Sequence, residues 1–400
     1  MPSTSVPVIR RIESVDVLRG IVMVIMALDH VRDFIHIDGF TGDPLNLATT
    51  TPVLYFTRWI THFCAPVFVF LSGVSIYLQS FRKTKKELSA FVIKRGLWLI
   101  LVDLIIMALV ISFNPYYNYL FLQVIWTIGI SMVILGLLIY LPFNLILVLG
   151  LFIVFGHNLL DYPERAEGFK PGFMWDLLHT GNFAMYPLWG NHTLVIIYPF
   201  AAWTGLMMLG YCTGHLFSPS FPAEKRKRFL IWAGLGTIIF FIALRGLNGY
   251  GNPFPWSLQK NFFYTLLSFL NTHKYPPSLL FLCMTIGPAL LLLALLENRR
   301  NGFTRVVQVF GRVALFYYIA HFFLAHLVST VLYFARGHTL AAADDNIQNF
   351  PFYFLIPGEG LSLPWVYVVW LGIVLFLYPV CRWYNNYKSA HKEKWWLSYL

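Results

Sequence analysis

Long apolar stretches alternate with short polar segments along the whole chain, and most apolar stretches are long enough to cross a bilayer as a helix. A template of roughly 20 apolar residues per helix predicts about ten spans. They lie near residues 17–37, 55–80, 96–113, 119–140, 143–158, 192–216, 229–246, 277–296, 307–334 and 363–382. The fourth and fifth stretches are joined only by residues 141–144, so nine or eleven spans remain open.

The pattern predicts an all-α protein, a polytopic membrane helix bundle. We expect one transmembrane domain over residues 1–400, with residues 383–400 as an interfacial C-terminal tail. The composition agrees, because 58% of the residues are hydrophobic and only 12% are charged.

Lys and Arg are concentrated in alternate polar segments, which fixes the expected orientation. These segments contain Arg10 and Arg11 and residues 82–95, 225–228, 299–305 and 382–394. The positive-inside rule then predicts that both termini are cytoplasmic. The net charge of +11 is explained by topology and by anionic lipid, and no nucleic-acid-binding motif accompanies it.

The first apolar stretch contains ionisable side chains, which are costly in a bilayer and therefore indicate function. They are Arg19, Asp29, His30, Arg32, Asp33 and His36. Arg19 and His30 are almost three helical turns apart, so they share a face with roughly 16 Å between them. Asp29 or Asp33 could accept a ring N–H of a neighbouring histidine and fix its tautomer. The alternative is that these charges only neutralise each other between helices.

The second stretch has a polar pair at a matching depth. Arg58 and His62 are four residues apart, and His30 and His62 both lie roughly 10 Å below the outer surface. They can meet in one cavity, or His62 can be an interhelical hydrogen-bonding residue. Pro66 is expected to break or kink this helix.

Three further features extend the candidate site. Gln123 and Trp126 give the fourth span a polar and aromatic lining, and Lys274 and Tyr275 lie at the membrane edge before a proline pair. His321 and His326 in the ninth span are five residues apart and must face different sides.

The four cysteines are scattered without metal-ligand spacing, so we expect no metal site.

Two motifs carry a family resemblance. They are Arg11, Ser14, Asp16, Arg19 and Gly20 in the first segment and Pro66, Gly73, Ser75 and Ile76 in the second. The pattern resembles the catalytic domain of the heparan-alpha-glucosaminide N-acetyltransferase family, a lysosomal transmembrane enzyme. Residues 274–279, residues 311–318 and the Trp-Trp tail are similar to a bacterial branch, which implies the bacterial cytoplasmic membrane.

The resemblance implies transfer of acetyl from cytosolic acetyl-CoA to an amino sugar or surface glycan on the far side. A more distant resemblance is to membrane O-acyltransferases, in which an Arg and a His eleven residues later are functional, as at Arg19 and His30. The lysosomal enzyme has Asn at the position of His30 and its catalytic histidine later. The choice between His30 and His36 as the base therefore stays open.

We predict a multi-pass acyltransferase in which His30, oriented by Asp29 or Asp33, acts as general base or accepts the acyl group. Arg19 would hold the donor or counter a carboxylate, and Arg58 and His62 would stabilise the thioester oxyanion. His36, Gln123, Trp126, Lys274 and Tyr275 are the other predicted substrate contacts.

The competing hypotheses are a proton-coupled permease of small polar solutes and a non-catalytic membrane scaffold. A homodimer, the identity of the acceptor and the length of the acyl chain are left open.

Overall fold

The computed structural model describes residues 12–347 and 350–398. Arg10 and Arg11, used above for orientation and for the family motif, lie outside the described residues. Its α-helices are α1 (Glu13–Ile35), α2 (Pro52–Thr61), α3 (Cys64–Gln79), α4 (Lys85–Leu101), α5 (Ala108–Ser112), α6 (Val124–Leu138), α7 (Phe143–Gly156), α8 (Asp161–Glu164), α9 (Phe173–Leu178), α10 (Ala201–Thr213), α11 (Ala223–Leu247), α12 (Phe262–Leu270), α13 (Leu279–Leu296), α14 (Gly302–Arg312), α15 (Ala314–Ala335), α16 (Leu340–Asn346) and α17 (Leu363–Ala390).

Shorter elements complete the fold. A π-helical segment, Val102–Met107, joins α4 to α5, and 3₁₀ turns cover His157–Leu160, Gly214–Phe217 and Trp395–Ser398. Three strands form one small sheet in the order β1–β3–β2: β1 (Tyr119–Leu122), β2 (Ala184–Pro187) and β3 (Thr193–Ile196). Strand β3 pairs in parallel with β1 and antiparallel with β2.

Within the described residues, seven helical segments are long and apolar enough to cross a membrane. They are Pro52–Gln79, Lys85–Ser112, Phe143–Glu164, Ala223–Leu247, Leu279–Leu296, Ala314–Ala335 and Leu363–Ala390. Three other predicted spans correspond to α1, which is rich in charge, and to α6 and α10, which have 15 and 13 residues. The protein is therefore a mostly helical bundle with the composition of a membrane protein.

The bundle has two distinct ends. At the end where α1 begins, Arg300 forms a bidentate pair with Glu13 at 2.7 Å, and Arg226 pairs with Glu297. We call this the basic end, because Lys and Arg are concentrated in the turns and adjoining helix ends there. The opposite end, which we call the sheet end, holds β1–β3 and the bridge between His36 and Leu361.

Local chemistry explains where several helices stop. Pro66 has no N–H to donate to the carbonyl of His62. The helix is interrupted between α2 and α3 at His62 and Phe63, as the proline predicted.

Two predicted boundaries differ from the structure. The predicted sixth span, 192–216, is corrected: its first residues form β3, and α10 begins only at Ala201. The first residues of the predicted C-terminal tail, 383–390, continue α17.

Two glycines let α1 approach α14 closely. A Cβ added to Gly20 would lie 1.8 Å from the backbone oxygen of Val307, and one added to Gly311 would lie 1.9 Å from that of Asp16. Only glycine fits at such a backbone contact. The contact fixes the height of α1 against the neighbouring α15, and therefore the level at which His30 meets that helix.

Candidate active site

One face of α1 lines a cavity that reaches in from the basic end. Arg19, Met23, Met26 and His30 recur every three or four residues, so the helical period brings all four to this cavity. Its volume is about 300 Å³. We call it the basic-end cavity; its other cationic lining residues are Arg95, Lys274, Arg312 and Lys388. Arg19 donates to Ser75 Oγ at 2.8 Å, which fixes the guanidinium at the cavity wall.

A second cavity of about 840 Å³ lies toward the sheet end, and we call it the sheet-end cavity. Its wall includes one rung of the small sheet, because Phe121 pairs with Val195 and Val195 with Met185, and all three line it. The remaining lining combines aromatic side chains with three carboxylates and three cations, Asp29, Asp33, Asp43, Arg32, Arg58 and Lys274.

The two cavities meet in the middle of the bundle. Six residues line both: Asp29, His30, Val124, Tyr198, Lys274 and Tyr318. An imidazole, a carboxylate, an ammonium group and two phenols therefore surround the point at which both cavities converge. His30 lies at this junction, within reach of a molecule that enters from either end.

His30 is oriented by another histidine. Its Nδ1 lies 2.7 Å from Nε2 of His321 on α15, and His321 Nδ1 lies 2.7 Å from the backbone carbonyl of Tyr317. A carbonyl only accepts, so His321 carries its proton on Nδ1, and Nε2 of the neutral ring must accept from His30. The proton of His30 is then on Nδ1, and its Nε2 keeps the lone pair for a substrate.

The carboxylates expected to orient His30 bind arginines instead. Asp29, which is 6% exposed, accepts a hydrogen bond from Arg58 and forms an ion pair with Arg32 at 3.0 Å. Asp33 is paired with the same Arg32. The interpretation that Asp29 or Asp33 fixes the His30 tautomer is thus wrong in this geometry, because the Nδ1–H of His30 is donated to His321 and both carboxylates are paired with arginines.

Predicted contacts from the second span and the later loop do converge on the sheet-end cavity. Arg58, His62, Lys274 and Tyr275 all line it. His62 is 1% exposed, and neither ring nitrogen has a hydrogen-bond partner among the described residues. Burial opposes ionisation of Tyr275, but Lys274 and Arg58 outweigh it and hold the pKa of this phenol below its ordinary value.

Three other predicted residues have different positions. Gln123 lines the sheet-end cavity, and its backbone N–H donates to Asp103 at 2.9 Å. Trp126 does not line either cavity; its indole N–H donates to the Tyr198 carbonyl at 3.2 Å and so supports a junction residue. His36 also lies outside both linings, where its Nδ1 accepts from the Asp38 N–H at 3.2 Å.

Sequence reasoning missed the roles of His321, Tyr198 and Tyr318 at the junction. The sequence shows His321 as an ionisable residue within a span, but its partner is 291 residues away and no spacing rule connects them. The expected divergence of the two ninth-span histidines is confirmed, because His326 Nε2 binds the Tyr353 carbonyl at 2.7 Å, away from His30.

Comparison with known proteins gives one family. A family model described as "Heparan-alpha-glucosaminide N-acetyltransferase, catalytic" matches residues 11–245, which is more than half of the chain. The matched residues include Arg19, His30, Arg58 and His62, whereas Lys274 and His321 follow the match. The search of curated proteins returned no match.

Proposed function

The chain belongs to the heparan-alpha-glucosaminide N-acetyltransferase catalytic family, and we propose that it moves a short acyl group across the membrane. The donor is acyl-CoA, with acetyl-CoA as the first candidate, and it enters the basic-end cavity. The acceptor is an amino sugar or a surface glycan in the sheet-end cavity. The observation that carries this proposal is the junction of the two cavities at His30.

The two cavities differ in chemistry as their proposed occupants do. Arg19, Arg95, Arg312 and Lys388 line the basic-end cavity, and such cations suit the phosphates of a nucleotide-bearing thioester. The thioester arm would then extend along α1 toward His30. Aromatic side chains interspersed with charged and polar groups, as in the sheet-end cavity, suit the faces and hydroxyl groups of a sugar.

The proposed reaction is direct transfer with His30 as general base. The acceptor amine or hydroxyl attacks the thioester carbonyl carbon while its proton passes to Nε2 of His30. The carbon–sulfur bond then breaks, and the same proton passes to the leaving thiolate, giving the acylated acceptor and free CoA. Because both substrates reach one junction, no covalent carrier is needed between them.

Cationic groups at the junction would stabilise the negative charge that develops on the thioester oxygen. Lys274 and Arg58 both line the sheet-end cavity, and Lys274 also lines the basic-end cavity. Charges held in place in a site that excludes water are effective at this task because they need not reorganise during the reaction.

The same proposal fixes the orientation. The positive-inside rule places the basic end in the cytoplasm, where acyl-CoA is found, with ten spans and both termini on that side. The membrane would be a bacterial cytoplasmic membrane, so the acceptor would be outside the cell.

The experiment is a donor-dependent labelling assay on the purified full chain. Radiolabelled acetyl-CoA is offered with glucosamine and a panel of glycans, and labelled product is measured. His30→Ala should lower turnover by at least about 100-fold with the protein still folded. The matched control is His192→Ala, which changes a histidine that does not line either cavity.

Turnover by His30→Ala at the wild-type rate would contradict the proposal. Uptake of a solute into vesicles with no acyl donor present would favour a permease instead.

A further inference from the structure

Three side chains outside both cavities form a compact cluster of metal-binding groups at the sheet end. Asp161 and Glu164 lie on one turn of α8, and His179 follows the last residue of α9. One oxygen or nitrogen from each lies within 4.8 Å of the other two. The sequence spacing gave no sign of this cluster, because α8 and α9 are separated by a loop.

The His179 ring is held in a single orientation. Its Nδ1 donates to Glu164 Oε1 at 2.7 Å, and the same oxygen accepts from Trp175 at 2.6 Å and from Thr180 at 2.9 Å. The other ring nitrogen, Nε2, has no hydrogen-bond partner among the described residues, although His179 is only 1% exposed. Nε2 lies 3.9 Å from Asp161 Oδ1.

The distance between His179 Nε2 and Asp161 Oδ1 suits an ion that bridges the two atoms. At 3.9 Å it is too long for a hydrogen bond, and a buried nitrogen without a partner is costly. Zinc lies about 2.1 Å from a histidine nitrogen or a carboxylate oxygen, so one ion between the atoms can contact both. A carboxylate that accepts the second N–H of a ligand histidine, as Glu164 does here, is the usual outer support of a metal site.

We propose that Asp161 and His179 bind a divalent transition-metal ion, with Glu164 orienting the His179 ring and adding negative charge. One imidazole with carboxylate oxygens suits Zn²⁺ or Mn²⁺. The ion would tie α8 to the end of α9, four residues before Phe183, which together with Met185 lines the sheet-end cavity. Its role would be to stabilise the wall of that cavity.

The test is zinc binding to the purified full chain, stripped with a chelator and titrated with ZnCl₂, with MnCl₂ as a second probe. Wild-type protein should bind one ion per chain at this site and gain several degrees in melting temperature. Asp161→Asn and His179→Gln should each weaken zinc binding by about 100-fold, and Glu164→Gln by about tenfold. His192→Gln, another histidine of the same outer segment, is the control and should bind as wild type.

Two results would overturn the proposal. One is wild-type protein that retains no zinc and shows no thermal shift, which would mean that water alone bridges His179 and Asp161. The other is wild-type affinity in both Asp161→Asn and His179→Gln, which would assign the bound ion to other groups. Because the readouts are stoichiometry and melting temperature, failure here leaves the acyl-transfer proposal untouched.

Discussion

At the scale of single residues, the hydrogen bonds of the buried ionisable groups divide their roles. Asp29 pairs with Arg58 and Arg32, whereas the Nδ1–H of His30 is donated to His321 and not to this carboxylate. The Tyr317 carbonyl fixes His321, and His321 fixes His30. A main-chain carbonyl in the helix thus decides which nitrogen of His30 is basic.

This chain of hydrogen bonds predicts the effect of replacing His321. His321→Leu removes the acceptor for His30 Nδ1–H, so the ring can turn or change tautomer, and kcat should fall about 10- to 100-fold with little change in KM. His321→Gln restores an acceptor oxygen and should recover part of the loss. Steady-state kinetics of the two variants in the labelling assay measure both effects.

His326→Leu is the control for removing a buried histidine from α15. Its ring binds the Tyr353 carbonyl, away from His30, so kcat should be retained even if the melting temperature falls. Equal kcat values for His321→Leu and wild type would show that His321 does not orient the base.

At the scale of elements, the contact between α1 and α14 sets the position of the site. Gly20→Ala would bring a methyl group to 1.8 Å from the Val307 oxygen, so the two helices must separate. We expect a loss of about 1–3 kcal/mol in stability, seen as a lower melting temperature in detergent. Gly372→Ala on α17 is the matched control, because its new methyl group would have no heavy atom within 4 Å.

A melting temperature for Gly20→Ala equal to that of Gly372→Ala would contradict this account of the contact.

The elements also show how far the sequence could be interpreted. Local rules succeeded where the cause is local: the period of α1 brings Arg19 and His30 to one cavity, and Pro66 marks the break beside His62. They failed where tertiary contacts decide. Strand β3 forms at the start of a predicted span because β1, about 70 residues earlier, pairs with it.

Partners at the site were equally hard to foresee. Besides Arg32 on the same helix, the partners of Asp29 and His30 lie on other helices, 29 and 291 residues away for Arg58 and His321. The charges of these residues and their depth in the membrane could indicate that they lie at a common site. They could not say which partner each group would choose, because several cations and histidines compete for the same carboxylate.

At the scale of the whole molecule, the bundle separates two chemically different cavities and joins them at one point. Cationic side chains outnumber carboxylates in the basic-end cavity, whereas aromatic side chains and equal numbers of cations and carboxylates line the sheet-end cavity. Neither cavity alone explains a histidine inside the bundle with an available nitrogen. Together they suggest that two substrates approach from opposite faces of the membrane and react where the cavities meet.

The most direct measurement uses sealed proteoliposomes with glucosamine trapped inside and radiolabelled acetyl-CoA added only outside. Molecules whose basic end faces outward should produce labelled N-acetylglucosamine in the lumen, and His30→Ala vesicles should produce none above background. If label reaches glucosamine only when donor and acceptor share one compartment, the two cavities do not form the route of transfer, and the account is wrong.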